Sequence, residues 1–190
     1  MPTIQVIELQ MTAFSEVLAE CTELKDRVET ERVAVSAITA ALVSASETLV
    51  ERGWMTAKKV HGLTVSMEES ALDLRAALDE VDASITTAIA PVEVFAQATE
   101  RMRIAQSQDA VVDVPGAPSR ALIDIVAAQY SALCEKLLRN VRELATMAAV
   151  RLDDLRQKID LLQSSFGEIT AAMATPEFRQ GAPAHLVMHH

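Results

Sequence analysis

The sequence predicts an all-α protein, an elongated antiparallel helical bundle or coiled coil of three to four long amphipathic helices. Half of its 190 residues are apolar, yet only 3% are aromatic, and the chain contains five Gly and six Pro. This composition favours helices with thin cores of small side chains. An unbroken seven-residue spacing of apolar residues in the first quarter of the chain is typical of a helix with a narrow apolar stripe. The stripe consists of Ile7, Phe14, Cys21, Val28, Val35, Leu42 and Leu49.

The first predicted helix covers residues 4–52, because no Gly or Pro lies between Thr3 and Arg52. At ~1.5 Å per residue, such a helix is roughly 70 Å long. A second apolar row, three residues after the stripe, contains Val17, Leu24 and Ile38 but is interrupted by Gln10 and Glu31. We expect the stripe to pack against the last helix of the chain.

Two further helices are predicted over residues 55–90 and 92–108. Pro91 separates them, because proline removes a helical hydrogen bond and its ring clashes with the preceding turn. The segment 107–119 is predicted to be a loop, since Pro115, Gly116 and Pro118 form a strong breaker pattern.

The last predicted helix covers residues 120–174 and ends before Pro176. Its apolar positions are expected to step by threes and fours through Tyr130, Leu133, Leu137, Val141, Leu144, Ala148, Leu152 and onward to Met173. Two pairs of successive four-residue steps, 133–137–141 and 144–148–152, predict stutters that loosen a left-handed supercoil. The whole of 1–175 is thus expected to be one helical domain, followed by an irregular tail over 176–190.

Charge and motif content argue against several functions. The net charge of −10 opposes binding to nucleic acid. Neither His61 nor His185 follows a Glu by three residues, as a di-iron bundle requires, and a His pair in the terminal tail, His185 and His189, is more simply a solvated or tag-derived cluster. The sequence therefore predicts a protein that is not an enzyme and has no cofactor and no metal site.

The two cysteines, Cys21 and Cys134, occupy apolar positions of predicted helices. Buried reduced thiols are the expected state, and a disulfide between them remains the open alternative. No secretory leader is visible, and the apolar segment 33–46 has only 14 residues with four Ser or Thr among them. Because this is too short and too polar to span a bilayer, a cytoplasmic protein without a transmembrane segment is predicted.

Two stretches resemble the phasin family, the bacterial proteins that coat polyhydroxyalkanoate storage granules. The better one is NVRELATM at 140–147, which follows QYSAL at 129–133 in the same predicted helix. The weaker one is RVAVSAITAA at 32–41. The chain departs from the family pattern at Leu42, where an Asn is frequent, and in its longer middle with Pro91.

The resemblance implies a non-enzymatic, self-associating protein at the granule surface. The apolar surface and self-association stripe would then consist of Ile7, Phe14, Val28, Val35, Leu42, Leu49 and Trp54, the last being an amphipathic ring beside Gly53. The alternative is a coiled-coil structural or scaffold protein of a larger assembly, in which the same stripes meet only protein.

Overall fold

A computed structural model describes residues 4–51, 58–108 and 120–174. They form three long helices that pack against each other: α1 (Ile4–Glu51), α2 (Lys58–Gln108) and α3 (Arg120–Met173). No strand occurs in these described ranges. The prediction of an all-α fold is therefore confirmed, whereas Trp54, the 109–119 part of the loop and the tail 176–190 lie outside the described residues.

The described chain divides into two compact units, each built from one stretch of every helix. Unit one contains residues 4–27, 81–108 and 120–151, and unit two contains residues 28–51, 58–80 and 152–174. Each unit therefore has its own three-helix core.

In unit one, α1 and α2 run in opposite directions. The Nζ of Lys25 lies 3.8 Å from an oxygen of Asp82. Nearer the start of α1, Glu8 faces Arg103. The pKa of Arg103 is raised first by its hydrogen bond with Glu100 and further by the Glu8 carboxylate. Because early residues of α1 lie beside late residues of α2, the two helices are antiparallel.

In the same unit, α1 and α3 run in the same direction. The Gln10 amide donates to the Ser131 hydroxyl at 3.1 Å, and Arg142 lies 3.5 Å from Glu16, so the second contact is further along both helices. Consecutive helices are thus antiparallel, and the first and last helices are parallel neighbours that no loop joins directly.

The buried positions of α1 and α2 alternate in steps of three and four residues. This spacing keeps one stripe of each helix turned toward the core. On α1 the buried positions are Ile7, Phe14, Val17, Cys21, Leu24, Val28, Glu31, Val35, Ile38, Leu42 and Ala45. On α2 they are Thr64, Met67, Ala71, Leu74, Leu78, Val81, Ile85, Ala88, Val92 and Thr99.

Pro91 does not divide the middle of the chain, because α2 continues through it as one helix where two helices, 55–90 and 92–108, were expected. Pro91 and Thr87, one turn earlier, are both exposed, so the carbonyl that loses its helical partner lies on the solvent side. Water can satisfy this carbonyl. The buried spacing continues undisturbed at Val92.

The first half of α3 buries a different row from the one predicted. The stretch that was expected to contain stutters instead alternates regularly in steps of four and three, with Cys134, Leu138, Val141, Ala145, Ala148 and Leu152 buried. Leu133 and Leu144, both expected in the core, are 55% and 44% exposed. Leucine size indicated the wrong row at these two positions, since the buried residues next to them are Cys134 and Ala145.

Candidate functional site

The predicted apolar stripe of α1 lies inside the bundle. Ile7, Phe14, Val28, Val35 and Leu42 are at most 2% exposed. Leu49 belongs to α1, but its side chain lies outside the described set, as does all of Trp54. In this structure the described stripe residues are core residues, which another surface can meet only if the helices separate.

Several large apolar side chains of unit one are exposed, among them Leu9 on α1 and Val94 on α2, and a group of four lies on α3. Leu133, Leu144, Met147 and Val150 are 55%, 44%, 68% and 65% exposed. Their spacings of 11, 3 and 3 residues place them on one side of the helix, because 11 residues make about three turns. We call these four residues the exposed α3 row.

The exposed α3 row contrasts with the core beside it. Three of the neighbouring buried residues, Cys134, Ala145 and Ala148, are smaller than the leucines and the methionine turned to solvent, although Leu138 and Val141 are buried in the same row. A folded monomer gains from the opposite arrangement, since burial of a large apolar side chain contributes more than burial of alanine. Clustered large apolar residues on a surface are typical of a binding site. A shallow open groove on α3 adjoins this face and is lined by Glu135, Leu138, Arg139, Arg142, Glu143 and Thr146.

Two polar residues interrupt the second core row of α1, and both contact α3. Gln10 is half-buried and donates to Ser131, while its own carbonyl oxygen is buried without a hydrogen-bond partner. Glu31 is 7% exposed and accepts one hydrogen bond from Arg156 at 2.8 Å, while its second carboxylate oxygen is buried and unpartnered. Among the described side chains, each unit therefore contains one incompletely satisfied polar contact between α1 and α3.

A polar cluster around Tyr130 joins α2 and α3 in unit one, and each of its hydroxyl groups is hydrogen-bonded. The Tyr130 ring stacks on Phe95 with centroids 5.7 Å apart. Its hydroxyl lies 2.8 Å from the Thr99 hydroxyl and 3.2 Å from the Phe95 carbonyl oxygen. Thr99 also donates to that carbonyl, so the buried threonine is satisfied within its own helix.

Cys21 and Cys134 are both buried free thiols, as the composition predicted, and no disulfide joins them. Burial raises the pKa of each thiol above its ordinary value of 9.0, and the Glu20 carboxylate adds to the effect at Cys21. Because the thiolate is the nucleophile, these cysteines are poor candidates for catalysis in the closed fold.

The described helices hold no constellation that supports metal chemistry: among their residues no three His, Cys, Asp or Glu side chains form a group that could hold a metal ion. No described helix has an apolar stretch long enough to cross a membrane.

The exposed α3 row was missed as a surface because its leucines were assigned to the core. Extending the three-and-four spacing backward from Leu155 and Leu152 leads to Ala148, Ala145 and Cys134, and it would have placed the row outside. Comparison with family models, curated proteins and solved structures finds no match for this chain. The resemblance to phasins therefore rests on the two sequence stretches.

Proposed function

We propose that this chain is a non-enzymatic amphipathic helical protein of the cytoplasm that coats polyhydroxyalkanoate granules, as phasins do. Its helices act as a three-stranded coiled coil, and copies self-associate when no granule is present. A neutral polyester offers few specific polar partners, so binding to it depends on apolar contact area.

The observation that carries the proposal is the position of the exposed α3 row. Leu133 ends the QYSAL segment that precedes the better phasin-like stretch, and Leu144 and Met147 lie within that stretch. These side chains are more than two-fifths exposed. Three of the four residues of the exposed α3 row therefore belong to the better phasin-like stretch or to the segment that precedes it.

The exposed row alone supports only weak adsorption. Covering four half-exposed apolar side chains contributes about 1 kcal/mol each, or roughly 4 kcal/mol in total. That free energy corresponds to a dissociation constant on the order of 1 mM. Stable coating therefore needs either several copies acting together or apolar area now buried in the core.

The test is co-sedimentation of the full chain with polyhydroxybutyrate particles. A Leu144→Ser, Met147→Ser variant removes half of the exposed row at positions whose truncation leaves the core intact. We expect the parent to sediment with the particles and the variant to bind several-fold more weakly. Far-UV circular dichroism and the urea midpoint of the variant should stay close to those of the parent.

A matched control substitutes exposed residues outside the row, Thr146→Ser and Ala132→Ser, which leave binding unchanged. Absence of the parent from the pellet contradicts the granule function. Equal binding of the parent and the row variant contradicts the assignment of the row as the contact surface.

A second candidate is a coiled-coil scaffold protein. It is favoured by the regular three-and-four spacing of buried positions in all three helices, which continues even past Pro91. Under this alternative the exposed α3 row contacts protein only. The same Leu144→Ser, Met147→Ser variant should then lower the oligomeric state in light scattering, while the parent stays in the supernatant with particles.

A further inference from the structure

We infer that the contact between α1 and α3 is a built-in weak interface, and that each unit opens along it to present its core to an apolar surface. The inference deepens the proposed function, on which its surface-bound part rests. Opening between these two helices requires no break in chain connectivity, because α1 and α3 are not consecutive. The buried rows of α1 and α3 would then face the apolar surface, while α2 stays packed against these two helices.

Gln10 marks this interface in unit one. It occupies the same seven-residue row as the buried Val17 and Leu24, yet it pairs only with Ser131 and leaves its Oε1 buried without a partner. Reversing the side-chain amide does not help, since its nitrogen would then be the unpartnered atom. A buried polar group without a partner disfavours the closed state.

Glu31 marks the same interface in unit two, three heptads further along that row. One oxygen of its carboxylate accepts a hydrogen bond from Arg156. The Arg156 side chain is 54% exposed and also forms an ion pair with Asp160. The other oxygen of Glu31 is buried without a partner. When the helices separate, water can solvate both carboxylate oxygens and the guanidinium, so this contact favours opening.

Among the described residues, the α1–α2 and α2–α3 interfaces contain no buried side-chain polar atom that lacks a hydrogen-bond partner. Between α1 and α2, Arg32 donates from two nitrogens to Asp79, the shorter distance being 2.6 Å. Between α2 and α3 in unit one, the Tyr130 hydroxyl and its partners are satisfied. A further polar contact between α1 and α3, that of Arg142 with Glu16, is exposed on both sides and contributes little.

The chain supplies its own reporters of opening. Cys21 on α1 and Cys134 on α3 are buried in unit one, so alkylation by iodoacetamide, read by mass spectrometry of the two peptides, measures separation of these helices. Lys25 and Asp82, 3.8 Å apart, can be joined by a carbodiimide, which reports that α1 and α2 remain together.

In solution, a Gln10→Leu, Glu31→Leu variant should be alkylated at least tenfold more slowly than the parent, because its second row is apolar throughout. A Glu23→Gln control, which removes one charge from the exposed face, should be alkylated at the parental rate. Alkylation of the leucine variant at the parental rate or faster overturns the weak interface.

On polyhydroxybutyrate particles, alkylation of the parent should accelerate at least tenfold over free protein, while the Lys25–Asp82 cross-link forms as before. Particle-bound protein with protected thiols overturns opening and leaves the granule function intact. Loss of the cross-link overturns selective opening at α1 and α3. Failure of the parent to bind at all refutes the granule function together with opening on that surface, and the solution rates then decide the weak interface by themselves.

Discussion

Replacing Glu31 by leucine should stabilise the closed bundle, although it removes an ion pair. The substitution removes a buried carboxylate oxygen that has no hydrogen-bond partner, a relief of about 1–3 kcal/mol. The added apolar burial contributes about 1 kcal/mol, because part of the Glu31 side chain is already buried hydrocarbon. The lost hydrogen bond to Arg156 offsets only part of this gain, since the arginine side chain is 54% exposed and keeps Asp160 as a partner.

The net expectation is a stabilisation of about 1–3 kcal/mol, within the range seen when buried ion pairs are replaced by apolar residues. Urea denaturation followed by circular dichroism measures it as a higher midpoint with an unchanged slope. Glu23→Leu, at an exposed position of the same helix, should change the free energy of unfolding by no more than about 0.5 kcal/mol. A Glu31→Leu variant less stable than the parent by more than about 1 kcal/mol would refute the reasoning, because the ion pair would then contribute net stability.

Three other outcomes are expected. Leu42→Ala, at a fully buried position, should lower the free energy of unfolding by about 2–5 kcal/mol, whereas Val43→Ala, 46% exposed, should change it by less than about 1 kcal/mol in the same urea titration. Tyr130→Phe keeps the stacked ring but loses its hydroxyl contacts with α2, which should cost about 0.5–1.5 kcal/mol by the same assay, and an unchanged midpoint would contradict this. Because burial raises the pKa values of Cys21 and Cys134 above 9.0 and of Tyr130 above 10.0, the stability that these three groups contribute should be fully present at pH 7 and be lost as pH rises through the folded-state pKa values. Thermal melts between pH 7 and 11 test this, and a melting temperature that is unchanged or rises over the alkaline range would contradict it.

The first helix could be derived from sequence because its core row is made of large apolar residues at one spacing. The residues Ile7 to Leu42 are buried as a seven-residue pattern requires. The interruptions at Gln10 and Glu31 were also visible in the sequence. The sequence could not show that the hydrogen-bond partners of Gln10 and Glu31 both lie on α3, because this depends on how the helices pack in space.

In the first half of α3, the size of the apolar side chains was a poor guide to which of them are buried. Leu133 and Leu144 are larger than Cys134 and Ala145, so hydrophobicity alone assigned them to the core, and the structure places them outside. The regular spacing was the better guide there. Pro91 misled in another way. The carbonyl that loses its helical partner lies on the exposed side of α2, where water can bind it, and the helix continues through the proline.

The most direct measurement of the central claim is a binding isotherm of the untagged chain on polyhydroxybutyrate particles. The exposed α3 row alone would give a dissociation constant on the order of 1 mM. Ten core side chains that each cover ~40 Å² of polymer would add on the order of 10 kcal/mol before the cost of separating the helices. The account therefore predicts saturable binding with a micromolar or lower dissociation constant, and absence of saturation up to millimolar protein would contradict it.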